Sequence, residues 1–180
     1  MILRDAVLGI LIRDLEGLQR QVSLYPDDES LWKVAPGIAN STGTLVLHLA
    51  GNLRHFCGAV LGGTGYERNR DAEFSTRGLS RAELESEVRA TIGDVEAALN
   101  TITADQLEAV YPVPLKEMRV RTADFLVHLA VHLGYHLGQI DYHRRLLTPD
   151  PRPADALAIE PLGRMLIRAS MAEPGQVRAE

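Results

Sequence analysis

The chain has 180 residues, of which 46% are apolar and only 5% aromatic, with a formal net charge of -5. These figures describe a soluble globular protein, one domain over 1-180. The mild acidity without any long Lys/Arg run excludes the electrostatic footprint of a nucleic-acid binder. Scarce aromatics beside plentiful Leu, Ala and Val favour interdigitating helices over a sheet sandwich, so the expected class is all-α.

In the first segment Ile2, Leu3, Ala6, Val7, Ile10, Leu11, Leu15 and Leu18 recur at three- and four-residue steps, predicting a helix over about 3-22 with one apolar face. Arg4, Asp5, Arg13, Asp14 and Glu16 interrupt that stretch, so it lacks the apolar centre of a signal peptide or membrane span. A cytoplasmic protein without membrane partners is expected. Turn formers from Tyr25 to Ser30 and the pair Pro36-Gly37 predict a long irregular connection, with Leu31, Trp32 and Val34 folding back on the bundle. Ser41 or Thr42 caps a second helix over about 42-61, which Gly62-Gly63 ends.

The polar stretch from Gly65 to Gly78 reads as a surface loop reaching over the open end of the bundle. Ser80, with Glu83 as its capping-box partner, opens a third helix over about 80-100. Alternation and two prolines between Val110 and Val120 predict a short extended pair. Thr122 is read as the cap of a fourth helix over about 122-147, stopped by the prolines at 149, 151 and 153. A last short helix is expected from Ile159 to about Met171.

The six histidines carry the informative chemistry. His48 and His55 lie on the second predicted helix; His128, His132, His136 and His143 lie on the fourth. Four-residue spacing leaves two side chains about 40° apart around the axis and about 6 Å apart along it, so either neighbouring pair, 128 with 132 or 132 with 136, can face one ion. The outer two stand about 12 Å apart, too far for one ion to take all three. His48, on or near the apolar face of Leu45, Leu49 and Leu53, is the natural third donor from a facing helix. Three imidazoles with open positions make the ligand set of a catalytic divalent metal, zinc or nickel by ligand type, which lowers the pKa of a water or thiol. The alternative is imidazoles satisfied by carbonyls and carboxylates, and that reading is preferred for His55 and His143.

The stretch His128-Leu129-Ala130-Val131-His132-Leu133-Gly134-Tyr135-His136-Leu137-Gly138-Gln139-Ile140 resembles the closing motif of the DinB/YfiT-like superfamily, a histidine-rich helix ending in Gly-Gln-Ile. Leu47 to Phe56 is similar to that family's first histidine helix. The resemblance spans roughly Leu3 to Leu147 and implies a four-helix bundle whose metal ligands fall on His48, His132 and His136, leaving His128 a neighbour. Leu137 departs from the pattern, since many members carry a basic residue there. The resemblance further implies a thiol-dependent S-transferase using a low-molecular-weight thiol, or a related hydrolase or isomerase acting on a small molecule. A non-catalytic metal-binding or stress-response dimer is the competing reading.

Around this set, Asn52 and Gln139 are placed to orient a ligand or bind substrate, and Asp124 to contact His128. Tyr135 flanks the ligand helix and is read at least equally as packing. Gly134 and Gly138 would let another helix approach closely, consistent with a homodimer. The lone Cys57 excludes an intramolecular disulfide and Cys-rich zinc modules, fits a reducing compartment, and is read as a packed core thiol. Arg144-Arg145 suits the helix macrodipole.

Overall fold

The computed structural model describes residues 2-155, 157-159 and 162. The fold is an all-α bundle, built mainly from α1 (Ile2–Ser23), α2 (Thr42–Leu53) with its continuation, α5 (Arg81–Thr101) and α7 (Thr122–Leu147). Among the described residues there is no strand, only isolated antiparallel bridges at Val110 with Arg121 and Leu115 with Met118. The extended pair expected before the last long helix is therefore a strap tied at its base and its tip. No helix among the described residues is long and apolar enough to cross a membrane.

The apolar periodicity of α1 places Val7, Leu11, Leu15, Leu18 and Val22 in the core, against α5 and α7. Leu49 and Leu53 of α2 join Leu84, Val88 and Leu99 of α5 and Leu126, Leu129 and Leu133 of α7 in the same core. The irregular connection after α1 holds one 3-10 turn, Ser30–Trp32. Leu31 is buried and the Trp32 indole donates to the Leu79 carbonyl at 2.8 Å, but Val34 stays exposed. Trp32 lies over Gly43, where a Cβ would sit 2.8 Å from the indole ring, so glycine is what lets this connection close on α2.

α2 does not run on as a regular helix. Arg54–Ala59 is π-helical, and α3 (Val60–Gly62) is a last α-turn before Gly63, whose φ of 66 suits glycine. Ser41 caps α2 by accepting from the Thr44 amide at 3.2 Å, and Ser80 with Glu83 forms the expected capping box on α5. α6 (Ala104–Glu108) is a short helix with its own capping box, Thr103 with Gln106.

The segment read as a loop contains α4 (Arg70–Ser75), capped by Asn69 and packed on α2. Thr122 is not a cap but the first helical residue of α7; its amide and hydroxyl both donate to the Ala109 carbonyl, at 2.9 and 3.1 Å. Arg121 occupies the cap position and makes no capping bond. Arg144 and Arg145 lie in the last turn of α7, as expected, and Arg144 is fully buried there, donating to Gln21 at 2.7 Å and to the carbonyls of Asp150 and Arg152 at 3.0 and 2.6 Å. It ties the segment after α7 to α1. The short helix expected from Ile159 to Met171 falls, apart from Ile159 and Leu162, outside the described residues.

Candidate metal centre

α2 and α7 pack on each other, and their facing turns bring His48, His132 and His136 together. One nitrogen from each lies within 4.8 Å of the other two. Among the described residues no other such group of three or more metal-ligating side chains occurs. The Nε2 atoms of His48 and His132 are 3.3 Å apart. Two nitrogens at about 2.0 to 2.1 Å from one tetrahedral ion stand about that far apart. Ring centroids are 5.2 Å apart for His48 and His132, 5.4 Å for His48 and His136, and 4.6 Å for His132 and His136.

The outer nitrogens decide where the lone pairs point. His48 Nδ1 lies 3.0 Å from Glu73 Oε2, and His136 Nδ1 lies 2.7 Å from Gln139 Oε1. An Nδ1–H donated to each oxygen leaves both Nε2 lone pairs for the space between the rings, the carboxylate–histidine arrangement that orients metal ligands. Glu73 is itself clamped by Arg68, whose Nε and Nη2 donate to it at 2.6 and 2.9 Å. Burial alone would raise the Glu73 carboxyl, but the bonds from Arg68 and His48 outweigh it and hold the pKa below the ordinary value. The carboxylate is thus charged beside His48.

Burial, reinforced by the neighbouring His136 and His48, pushes the pKa of His132 down to about 4. That of His136 is also lowered, chiefly by burial. Both rings are neutral near pH 7, the form that binds a metal. His132 Nδ1 is buried with no hydrogen-bond partner among the described residues. Three imidazoles, two of them (His48 and His136) oriented from behind, are a donor set that fits a borderline divalent ion better than a packed core.

A family model described as the DinB superfamily matches residues 11–140. The chain belongs to the DinB superfamily. No curated protein matches it. Membership and the three-histidine cluster together suggest a divalent metal site in this DinB-superfamily chain.

The remaining sequence candidates divide. Gln139 contacts His136 as spacing allowed, and Asn52 is buried near the cluster with its Oδ1 unpartnered among the described residues. His128 is exposed and stacks on Phe125, with ring centroids 5.8 Å apart. Asp124 does not reach it by a hydrogen bond; the carboxylate pairs with Arg121 at 2.8 Å. Tyr135 is exposed rather than packed. Gly134 faces α1 of the same chain, a Cβ there standing 3.6 Å from Asp14, while Gly138 faces open space.

His55 is half-buried beside Phe56. His143 is buried, its Nδ1 lying 3.5 Å from the Tyr25 hydroxyl and 3.4 Å from that of Thr42. Cys57 is fully buried and its thiol pushed up to about 12 by burial, so it offers no thiolate.

Sequence reasoning missed Glu73 and Arg68. The available signal was Asn69 followed by Asp71 and Glu73, a cap and an acidic first turn, on a helix too short to show periodicity.

Proposed function

We propose that this DinB-superfamily chain is a metal-dependent enzyme in which His48, His132 and His136 hold one divalent ion, zinc or nickel by ligand type. When bound, such an ion supplies Lewis acidity that lowers the pKa of a thiol or water. The observation that carries the reading is the convergence of three imidazoles, with Glu73 and Gln139 behind two of them, and with no carboxylate or thiolate among the described residues joining as a fourth ligand. A ligand set of three is the open kind used in catalysis, whereas structural zinc sites close with four.

In this reading Glu73 fixes the His48 ring, Arg68 keeps Glu73 charged, and the apolar surroundings of His132 keep it deprotonated. The reaction is transfer of a low-molecular-weight thiol to a small-molecule acceptor, or hydrolysis at the same centre, in a cytoplasmic protein. Metal analysis of untagged protein tests the centre directly. One divalent ion per chain is expected in the parent and in His128→Ala, with loss in His48→Ala and His132→Ala. Unchanged metal in both of the latter would eliminate the site. Turnover of thiol addition to a small electrophile, measured on protein loaded with zinc or nickel, then tests the reaction.

A second reading, a non-catalytic metal-binding or stress-response homodimer, draws on an exposed apolar row along α7: Val127, Val131, Tyr135, Tyr142 and Leu146. It predicts full metal content, no turnover with any thiol, and a dimer by sedimentation that Val131→Glu dissociates.

A further inference from the structure

Beside the three histidines lies a cavity of about 780 Å³ whose lining includes His132. That volume falls within the range of small-molecule sites, about 300–1,000 Å³. Phe56, from the π-helical continuation of α2, and Phe125, from α7, contribute flat apolar walls and meet edge to face with centroids 5.0 Å apart. The strap between Val110 and Arg121 adds the half-buried Val113, Leu115 and Val120 to the lining. The Tyr111 hydroxyl donates to the Phe56 carbonyl at 2.7 Å and ties the base of the strap to that wall.

The charges around this apolar space do not balance. Of the two charged residues in the lining, Asp124 is taken up by Arg121, at 2.8 and 3.2 Å, whereas Lys116 has no ion-pair partner among the described residues. Both are exposed, so both stand where the cavity opens to solvent. Lys116 lies at the tip of the strap, where Leu115 and Met118 exchange two backbone hydrogen bonds of 3.0 Å around a two-residue turn. Its φ of 56 is a left-handed conformation that glycine or asparagine adopts more readily, so the turn itself gives no reason for a lysine. What the residue adds is an ammonium on a flexible four-carbon stem at the mouth of an apolar chamber. Glu117, the next residue, is outside the lining. An unpaired cation beside apolar walls is complementary to a ligand with an apolar body and one negative charge.

We propose that this chamber is the acceptor pocket of the metal centre and binds an apolar small molecule carrying a carboxylate, with the body against the phenylalanine walls and the head group on Lys116. The assignment of the pocket to the metal rests on the three-histidine reading, because His132 is the residue common to cluster and chamber. Recognition of the apolar acid does not depend on that reading. Lys116 acts here as a specificity-determining residue: it distinguishes a carboxylate from the uncharged amide of the same shape. The walls supply most of the affinity, and an exposed ion pair adds a preference of a few fold.

The test uses 4-fluorophenylacetate and 4-fluorophenylacetamide, which share an aryl body and differ in charge, with binding followed by fluorine NMR on zinc-loaded, cobalt-loaded and metal-free full-length protein. At low salt the acid is expected to bind metal-free protein about fivefold more tightly than the amide, the upper end for an exposed ion pair. Lys116→Gln is expected to remove that preference, Lys116→Glu to reverse it and Lys116→Arg to keep it, with amide affinity unchanged in all three. Val120→Trp is expected to abolish binding of both probes by filling the chamber. Should Val120→Trp fail to fold, the Lys116 variants still decide, because they alter an exposed side chain outside the core. Paramagnetic broadening of the bound fluorine signal by cobalt, absent with zinc, is expected from a pocket adjoining the centre.

Failure of the acid to bind, equal affinity for the two probes, a preference that survives Lys116→Gln, or binding that survives in folded Val120→Trp would overturn the pocket. A preference confined to zinc-loaded protein would place the carboxylate on the ion and overturn the role of Lys116. Binding without broadening in protein carrying one cobalt per chain would overturn the assignment to the metal. Protein that takes up no metal would defeat the three-histidine reading on its own readout and the pocket's assignment with it, and the probe comparison on metal-free protein would still decide ligand recognition.

Discussion

Glu73 is the residue on which the geometry of the centre turns most, although it touches no ion. Its carboxylate joins Arg68 to His48, and Glu73→Gln keeps the shape while removing the charge. A metal affinity about 10–100-fold lower, with helix content unchanged, is the expected result by chelator competition. Gly51 sets the space for that carboxylate, since a Cβ there would collide with Oε1 and lie 2.8 Å from Cδ. Gly51→Ala therefore displaces Glu73 and should weaken metal binding in the same assay, with Gly134→Ala, which meets only Asp14 at 3.6 Å, as the nearly neutral comparison. The histidines were legible in the sequence in two steps: spacing along a helix offered 128 with 132 or 132 with 136 opposite His48, and the family resemblance, not spacing, selected 132 and 136. Glu73 was not, because it reaches His48 across 25 residues from a six-residue helix with no period to read.

At the scale of elements, the long helices were legible because each shows apolar periodicity bounded by caps and breakers. Ser80 with Glu83 was recognised from sequence and forms the capping box; Ser80→Ala should cost about 1 kcal/mol in thermal unfolding without altering metal content. Thr122 illustrates the converse. Its residue type suits a cap, but the Ala109 carbonyl competes for its hydroxyl and amide, and the helix starts one residue earlier than side-chain chemistry indicates. The π-helical stretch Arg54–Ala59 also left no sequence signal, since inserting one residue into a helix needs no special residue type. Its burial of Cys57 and Gly58 against α5 arises from tertiary packing, a Cβ on Gly58 standing 3.1 Å from Asp94.

Across the whole molecule, burial lowers the pKa values of His55, His132, His136 and His143 in one direction. A histidine whose folded pKa is depressed binds fewer protons folded than unfolded, so its contribution is complete above the unfolded value of about 6.5 and is lost as pH falls below it. For His132 the window runs from there down to about 4. Glu73, also lowered, adds a loss in acid, while Asp14, raised by burial, works the other way. Metal-free protein should therefore show an unfolding temperature that falls steadily from pH 7 to pH 4, and His143→Leu should flatten the part near neutrality. His48 and His132 are 84 residues apart in the chain, and a protein with one cysteine has no covalent means of joining such distant points. An ion shared between them would act as a reversible clasp, cutting the freedom of the denatured chain much as a cross-link closing a long loop does. Mechanical rigidity of the bundle and the supply of trace metal would then be coupled, so that starvation for the ion would loosen the pairing of α2 with α7.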